Sequence, residues 1–441
     1  MSRPLDEAAL RAVLARPRLN RVLDALADPG EETRLVGGAV RDALLGRPVA
    51  DLDLATTLLP GEVVRRAGAA GLKPVPTGIA HGTVTVVAEG EPFEVTTLRE
   101  DIETDGRHAV VRFGRDFAQD AARRDFTVNA LSVTPDGRVH DTVGGLADLA
   151  ASRVRFIGEA RQRIREDYLR VLRFFRFHAR FGEGAPDPEG LAAAIEARDG
   201  LALLSRERVR GELLKLLTAP AAPAVAAVMQ AAGLLPRLIG GVGDLGRLAR
   251  LAAAEAEPDP VRRLAALAVR SLADAERLRD SLRLSKAEQA RLAAYAGAEA
   301  ALHGAPAPLA PADIRRLAAI HGAVALADAA LVLRGEPAPV LTPEAAETLA
   351  RFAEGREPVP VLPVTGAALV AAGAPPRRGV RRGPAAAGRG RAPAGGPPPR
   401  GGAAPPPGAA PPAGGRDGAG AGGGGDRGAA ASPGRRPPAR P

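Results

Sequence analysis

Apolar residues recur at helical spacing from the start of the chain: Leu10, Val13 and Leu14, then Val22, Leu23 and Leu26. This period predicts one N-terminal helix near Leu5 to Ala27. The pattern then shortens. Arg34 to Val36 and Leu52 to Ala55 read as strands, Ala39 to Leu45 as a helix closed by Gly46, and Gly61 to Ala70 as a helix stopped by Gly71. Thr83 to Ala88 and Phe93 to Leu98 are β-rich runs around Glu89-Gly90-Glu91, the mark of a hairpin. Glu100 to Arg115 is charged and weakly periodic, as in a mobile loop. Val128 to Val133 and Arg138 to His140 flank Pro135-Asp136-Gly137, a second hairpin.

From Glu159 the helical period dominates. Tyr168, Leu172, Phe175 and Ala179 fall on one stripe, which predicts a buried face on a helix carrying REDYLRVLRFFRF (Arg165 to Phe177). Ser205 is placed to cap a helix over SRERVRGELLKLL. Helical segments continue to about Ala372. After about Pro376 the chain is Gly, Pro, Ala and Arg with almost no large apolar side chain, so burial there cannot offset ordering entropy and disorder is expected. The fold class is α+β: an N-terminal helical segment (1–33), a small α/β head (34–150), a helical neck (151–218), a helical body (219–375) and a disordered tail (376–441).

Composition changes this picture little, and charge changes it once. The 441 residues suffice for two or three domains. Aromatics are 3%, so the cores rest on Leu, Val and Ala. With no cysteine, disulfides and thiolate metal sites are excluded. No run approaches the roughly 18 apolar residues of a membrane span, and the expectation is a soluble, cytoplasmic protein without a membrane partner. The net charge is +9, but residues from Pro376 onward hold twelve Arg and two Asp, a surplus of +10. The rest therefore carries about −1, and any nucleic-acid surface on it must be local.

The chemistry is concentrated in LVGGAVRDALLGRPVADLDLAT (Leu35 to Thr56). Strand residues two apart share a face, so Asp51 and Asp53 project together while Leu52 and Leu54 point to the core. Two carboxylates on one side form a hard-oxygen clamp for Mg²⁺, which takes phosphate oxygens and water as further ligands. Gly37 and Gly38 let backbone N–H groups approach a triphosphate, and Arg41 lies one turn on. Glu94 offers a third metal-side carboxylate. In RRDFTVNAL (Arg123 to Leu131), the guanidiniums of Arg123 and Arg124 suit a triphosphate, while Asp125 and Asn129 are placed to hold the arginines or a ribose. Asp167 and Arg170, as i, i+3 neighbours, offer an acceptor and a donor for a nucleobase edge; Arg173 and Arg176 continue the row toward phosphates. Taken singly, each motif also fits a solvated charge cluster, a tight turn or a salt-bridged helix. His140-Asp141 reads as structural.

In this order, GGAVRDALLG with DLDLAT, RRDFTVNAL, HDTVGGLADL, EDYLRVLRFFRF and SRERVRGELLKLL resemble the bacterial-type tRNA nucleotidyltransferases, the CCA-adding enzymes, and the related bacterial poly(A) polymerases. The resemblance implies a nucleotidyltransferase head followed by helical neck, body and tail. It implies Mg²⁺ on Asp51 and Asp53, and nucleotide contacts from Gly38, Arg41, Arg124, Arg173 and Arg176. It assigns base selection to Asp167 and Arg170 with Glu166 in support. It implies CTP, ATP and the 3′ end and acceptor stem of tRNA as partners, and leaves oligomeric state open. CCA addition, poly(A) synthesis, partial addition and an inactive RNA-binding scaffold all remain open on sequence. PVTGAALVAAGAPP (363–376) resembles the start of the family's helical tail, after which the switch to Arg, Gly, Pro and Ala is what a shifted reading frame would produce.

Overall fold

The computed structural model describes residues 3–104, 109–303, 305–336 and 339–361. The expectations for the tail, for 363–376 and for a shifted frame lie outside the described residues.

The N-terminal segment is two helices, α1 (Glu7–Leu14) and α2 (Pro17–Leu26), rather than one. Asp6 caps α1 by accepting from the Ala9 N–H at 2.8 Å, and Pro17 ends the continuity because it suits a first helical turn and not an interior. The next elements are β1 (Thr33–Val36), α3 (Gly38–Leu44), β2 (Asp53–Thr56), α4 (Pro60–Ala69), β3 (Lys73–Gly78), β4 (Thr83–Ala88) and β5 (Glu91–Thr97). They are followed by β6 (Arg99–Thr104), β7 (Ala109–Phe113), α5 (Phe117–Ala122), β8 (Ser132–Val133) and β9 (Val139–His140).

Seven strands form one mixed sheet in the order β3-β4-β5-β2-β1-β8-β9. Only β2 and β5 pair in parallel there, and that pairing sets Asp53 opposite Glu94. The β4–β5 hairpin turns on Glu89 and Gly90, both at positive φ, as a two-residue primed turn requires. Arg18 and Arg21 of α2 pair with Glu89 at 3.2 and 2.7 Å and pin that strained residue. β3 escaped the sequence reading because KPVPTG holds two prolines; it forms an edge strand, where a missing donor is tolerated. The expected loop at Glu100 to Arg115 is instead largely the β6–β7 ribbon, a separate two-stranded sheet. Val128 falls in a 3-10 turn, Thr127–Asn129, rather than in a strand.

Beyond β9 every named element is a helix. α6 (Gly145–Ala150) begins where the Asp141 carboxylate accepts N–H groups from Val143, Gly144, Gly145 and Leu146, which gives the His140-Asp141 pair its structural use. α7 (Ala160–Glu166), α8 (Leu169–Phe181), α9 (Pro188–Glu196) and α10 (Arg206–Leu217) follow, with further helices to Ala353. Leu172, Phe175 and Ala179 are buried as the stripe predicts, and Tyr168 is half-buried. Six of the chain's ten Phe gather where β-rich and helical parts meet: Phe126, Phe156 and Phe174 to Phe181. In a chain so poor in aromatics, this junction is where ring packing adds stability beyond area burial.

Candidate nucleotidyl-transfer site

β2 positions the acidic pair. It begins at Asp53, one residue later than expected, so Asp51 lies just before the strand. The alternation survives nonetheless: Asp51 and Asp53 are exposed, while Leu52 and Leu54 are 3% and 0% exposed. Glu94 stands across from Asp53 on β5 and is also exposed. Partial burial, then repulsion from Glu94 and Asp51, pushes the Asp53 carboxyl above its ordinary range; Arg124 pulls it back. Crowded like charges of this kind fit a divalent cation. Among the described residues no group of three or more His, Cys, Asp or Glu forms a ready metal cage.

Gly37, the N-cap of α3, has φ of 68°, and a Cβ there would fall 2.8 Å from Arg124 Nη1. The backbone requires glycine here, and any Cβ would also push aside the end of the Arg124 side chain. Arg124 donates to Asp120 at 3.2 Å and to the Asn129 carbonyl at 3.2 Å. Asn129 in turn donates to Asp125 at 3.0 Å, and Asp125 accepts from Arg173 Nε at 2.7 Å. Arg41 closes this chain by donating to the Asn129 side chain.

Arg41, expected from sequence to contact phosphate, is turned into the protein. It is 7% exposed, its guanidinium lies 4.1 Å from the Phe181 ring centroid, and it pairs with Asp42 at 2.9 Å. The covering ring comes from α8, distant in sequence, so the spacing within α3 could not announce it. Its geometry is that of a brace for Asn129.

The neck also departs from expectation. REDYLRVLRFFRF is not one helix: α7 ends at Glu166, and Asp167 is extended at φ −154°. The Asp167 carboxylate accepts from the Leu169 N–H at 3.0 Å, and that local bond competes with helix continuation. Asp167 pairs with Arg208 of α10 at 2.6 Å, while Arg170 pairs with Glu166 and donates to the Arg163 carbonyl at 2.8 Å. Asp167 and Arg170 thus flank a helix break rather than share a helix face, and each has another partner. Arg173 is bound to Asp125, and Arg176 to Glu212 at 2.6 Å.

Four residues of this cluster were not singled out from sequence: Asp120, Arg163, Arg208 and Glu212. Asp120 stands three and four residues before Arg123 and Arg124, a spacing that signals helical ion pairs. Arg163 donates to the carbonyls of Arg123 and Arg124 and so fastens α7 to the strand-rich part. No local pattern marks that long-range contact.

A family model described as the poly(A) polymerase head domain matches residues 33–155. The chain is 41% identical over 266 residues to the mitochondrial CCA tRNA nucleotidyltransferase 1 of Danio rerio, covering 58% of this chain and 61% of that protein. Identity to the Mus musculus protein of the same name is 46% over 203 residues, covering 45% and 47%. The crystal structure of the Bacillus stearothermophilus CCA-adding enzyme with CTP superposes with a TM-score of 0.64 at 30% identity, over 85% of this chain and 92% of that one. The chain belongs to the CCA-adding enzyme family. It spans about half the length of the curated relatives it matches. As in that family member, a nucleotidyltransferase head with a mixed sheet precedes a helical remainder. No helix among the described residues is long and apolar enough to cross a membrane.

Proposed function

We propose that this chain is a template-independent RNA nucleotidyltransferase that adds CCA to tRNA 3′ ends from CTP and ATP, releasing pyrophosphate. One observation carries the reading: Asp53 meets Asp51, Glu94 and Arg124 on the open face of the sheet, beside the Gly37 turn. Asp51 and Asp53 would hold Mg²⁺, with Glu94 adding negative charge to the site. When bound, the ion neutralises phosphate oxygens and favours ionisation of the attacking hydroxyl. The chain's own residues bind and orient. Backbone at Gly37 and Gly38, with Arg124, faces the triphosphate; Asp125 and Asn129 keep Arg173 and Arg124 in register with it. Asp167 and Arg170 would read the base by exchanging Arg208 and Glu166 for its donor and acceptor edge, with Arg173 and Arg176 beside them. Positioning and charge complementarity are the main contributions a protein makes to this chemistry.

Asp53→Ala should lower addition by roughly a thousandfold or more, since several kcal/mol of charge stabilisation is lost, while tRNA affinity stays near wild type. Retained turnover in that variant would refute the role. The match to a poly(A) polymerase head keeps a second reading in view. Incubating tRNA lacking its CCA with Mg²⁺ and CTP, ATP or both, then sequencing the 3′ ends, separates CCA addition from A-only, CC-only or poly(A) products.

A further inference from the structure

The charge in the neck is not confined to the proposed nucleotide site. A cavity of about 450 Å³ opens between the loop after α9, the start of α10 and the helices Leu235–Ile239 and Leu272–Leu282. Three arginines line it: Arg198, Arg206 and Arg237. Among the described residues, Arg198 has no side-chain hydrogen bond or ion pair. Arg206 donates only to the Asp280 backbone carbonyl, at 2.6 Å. Arg237 pairs at 2.8 Å with Asp199, whose side chain is 78% exposed, so solvent screens that pair and it contributes little. The lining holds three guanidiniums and one carboxylate, Asp199; the Asp280 carboxylate beyond it also attracts Arg206 but is bonded to Arg279. Its apolar lining includes Leu201 and Leu238, both buried.

The cavity also adjoins the residues proposed to read the base. A Cβ at Gly200 would fall 2.1 Å from the Tyr168 ring, so the loop carrying Arg198 is seated on the residue next to Asp167. α10 supplies Arg206 to the cavity and, two residues on, Arg208 to Asp167.

We propose that Arg198, Arg206 and Arg237 bind the phosphodiester backbone of the RNA substrate. This rests on the reading of the chain as an RNA nucleotidyltransferase, and it adds a contact surface outside the catalytic cluster. The guanidiniums come from three separate elements around a space far larger than one phosphate ion, an arrangement suited to successive phosphates along a strand. Phosphates on RNA release bound counterions when neutralised, so the site should contribute to the salt dependence of binding. A free nucleoside triphosphate offers the same phosphate chemistry, and the test distinguishes the two.

Affinity for tRNA lacking its CCA is measured by fluorescence anisotropy from about 50 to 200 mM salt, a range over which phosphate contacts dominate. The variants are R198A/R206A/R237A, the corresponding triple Lys variant, and Arg65→Ala, an exposed arginine on α4. The triple Ala variant should bind at least about tenfold more weakly at low salt, with the log–log salt slope shallower by about 2 to 3. The triple Lys variant should recover most of both, and Arg65→Ala should leave the slope unchanged. KM for CTP should not move. Wild-type slope and affinity in the triple Ala variant would overturn the inference. So would a raised CTP KM with tRNA affinity intact, which would move the anion to the free nucleotide. If the triple Ala variant fails to fold, Arg198→Ala decides, because that side chain has no partner among the described residues to lose: a salt slope shallower by about 1 supports the assignment, and a wild-type slope overturns it. Failure of the wild type to extend any tRNA would count against the proposed activity alone, because the binding measurement does not depend on turnover.

Discussion

Gly37 shows how much a single position can decide. Its φ of 68° makes Gly37→Ala costly, and a Cβ there would push the end of the Arg124 side chain aside. We expect destabilisation of about 1–3 kcal/mol from the backbone alone, read by urea unfolding, together with a raised KM for CTP as Arg124 is displaced. The glycine pair, the aspartates and Asn129 were legible because alternation with Leu52 and Leu54 and the two adjacent glycines are local signals. The environment of Arg41 was not: a ring from α8 buries it, and nothing within GGAVRDALL encodes that ring. Glu94 was legible as a strand residue, but its place opposite Asp53 follows from a parallel pairing across about forty residues.

Among elements, α8 carries the clearest titration. His178 is 4% exposed within it; burial lowers its pKa, and its Nε2 lies 3.3 Å from the Gly184 carbonyl. The unfolded chain therefore takes up a proton near pH 6.5 that the folded chain resists. This contribution to stability is complete above that pH and is lost as pH falls toward the depressed folded value. Melting temperature should decline below pH 6.5, and His178→Asn should flatten the decline, although the variant is less stable throughout. Element boundaries were read with mixed success for physical reasons. Proline splits the N-terminal helix, and Asp167 breaks the neck helix with its own carboxylate; neither effect appears in a hydrophobic period. The β6–β7 ribbon reads as a loop because REDIET at Arg99–Thr104 is charged and pairs through its backbone.

At the scale of the molecule, the helical region encloses charge as well as leucine. Arg247 and Glu299 are 1% and 3% exposed and pair at 2.8 Å, Arg247 Nε lies 3.7 Å from Glu336, and Arg247 Nε and Nη1 and the Tyr295 hydroxyl have no hydrogen-bond partner among the described residues. Arg247→Met should destabilise by roughly 3–5 kcal/mol, because Glu299 loses its nearest countercharge in a dry setting. R247M/E299Q should recover part of the loss by calorimetry. The head-then-helices order was visible in sequence, since the period changes near Glu159. The ties across that change were not, since they join residues about forty to fifty positions apart: Arg173 to Asp125, and Arg163 to the carbonyls of Arg123 and Arg124.

Those ties constrain how such a protein can be cut or recombined. A graft of this head onto a foreign helical partner would leave Asp125 without its arginine and two carbonyls without donors, so the segments have to be exchanged as a pair. Recombination within the family would be tolerated at joints downstream of Phe181 far more readily than at the change of architecture itself.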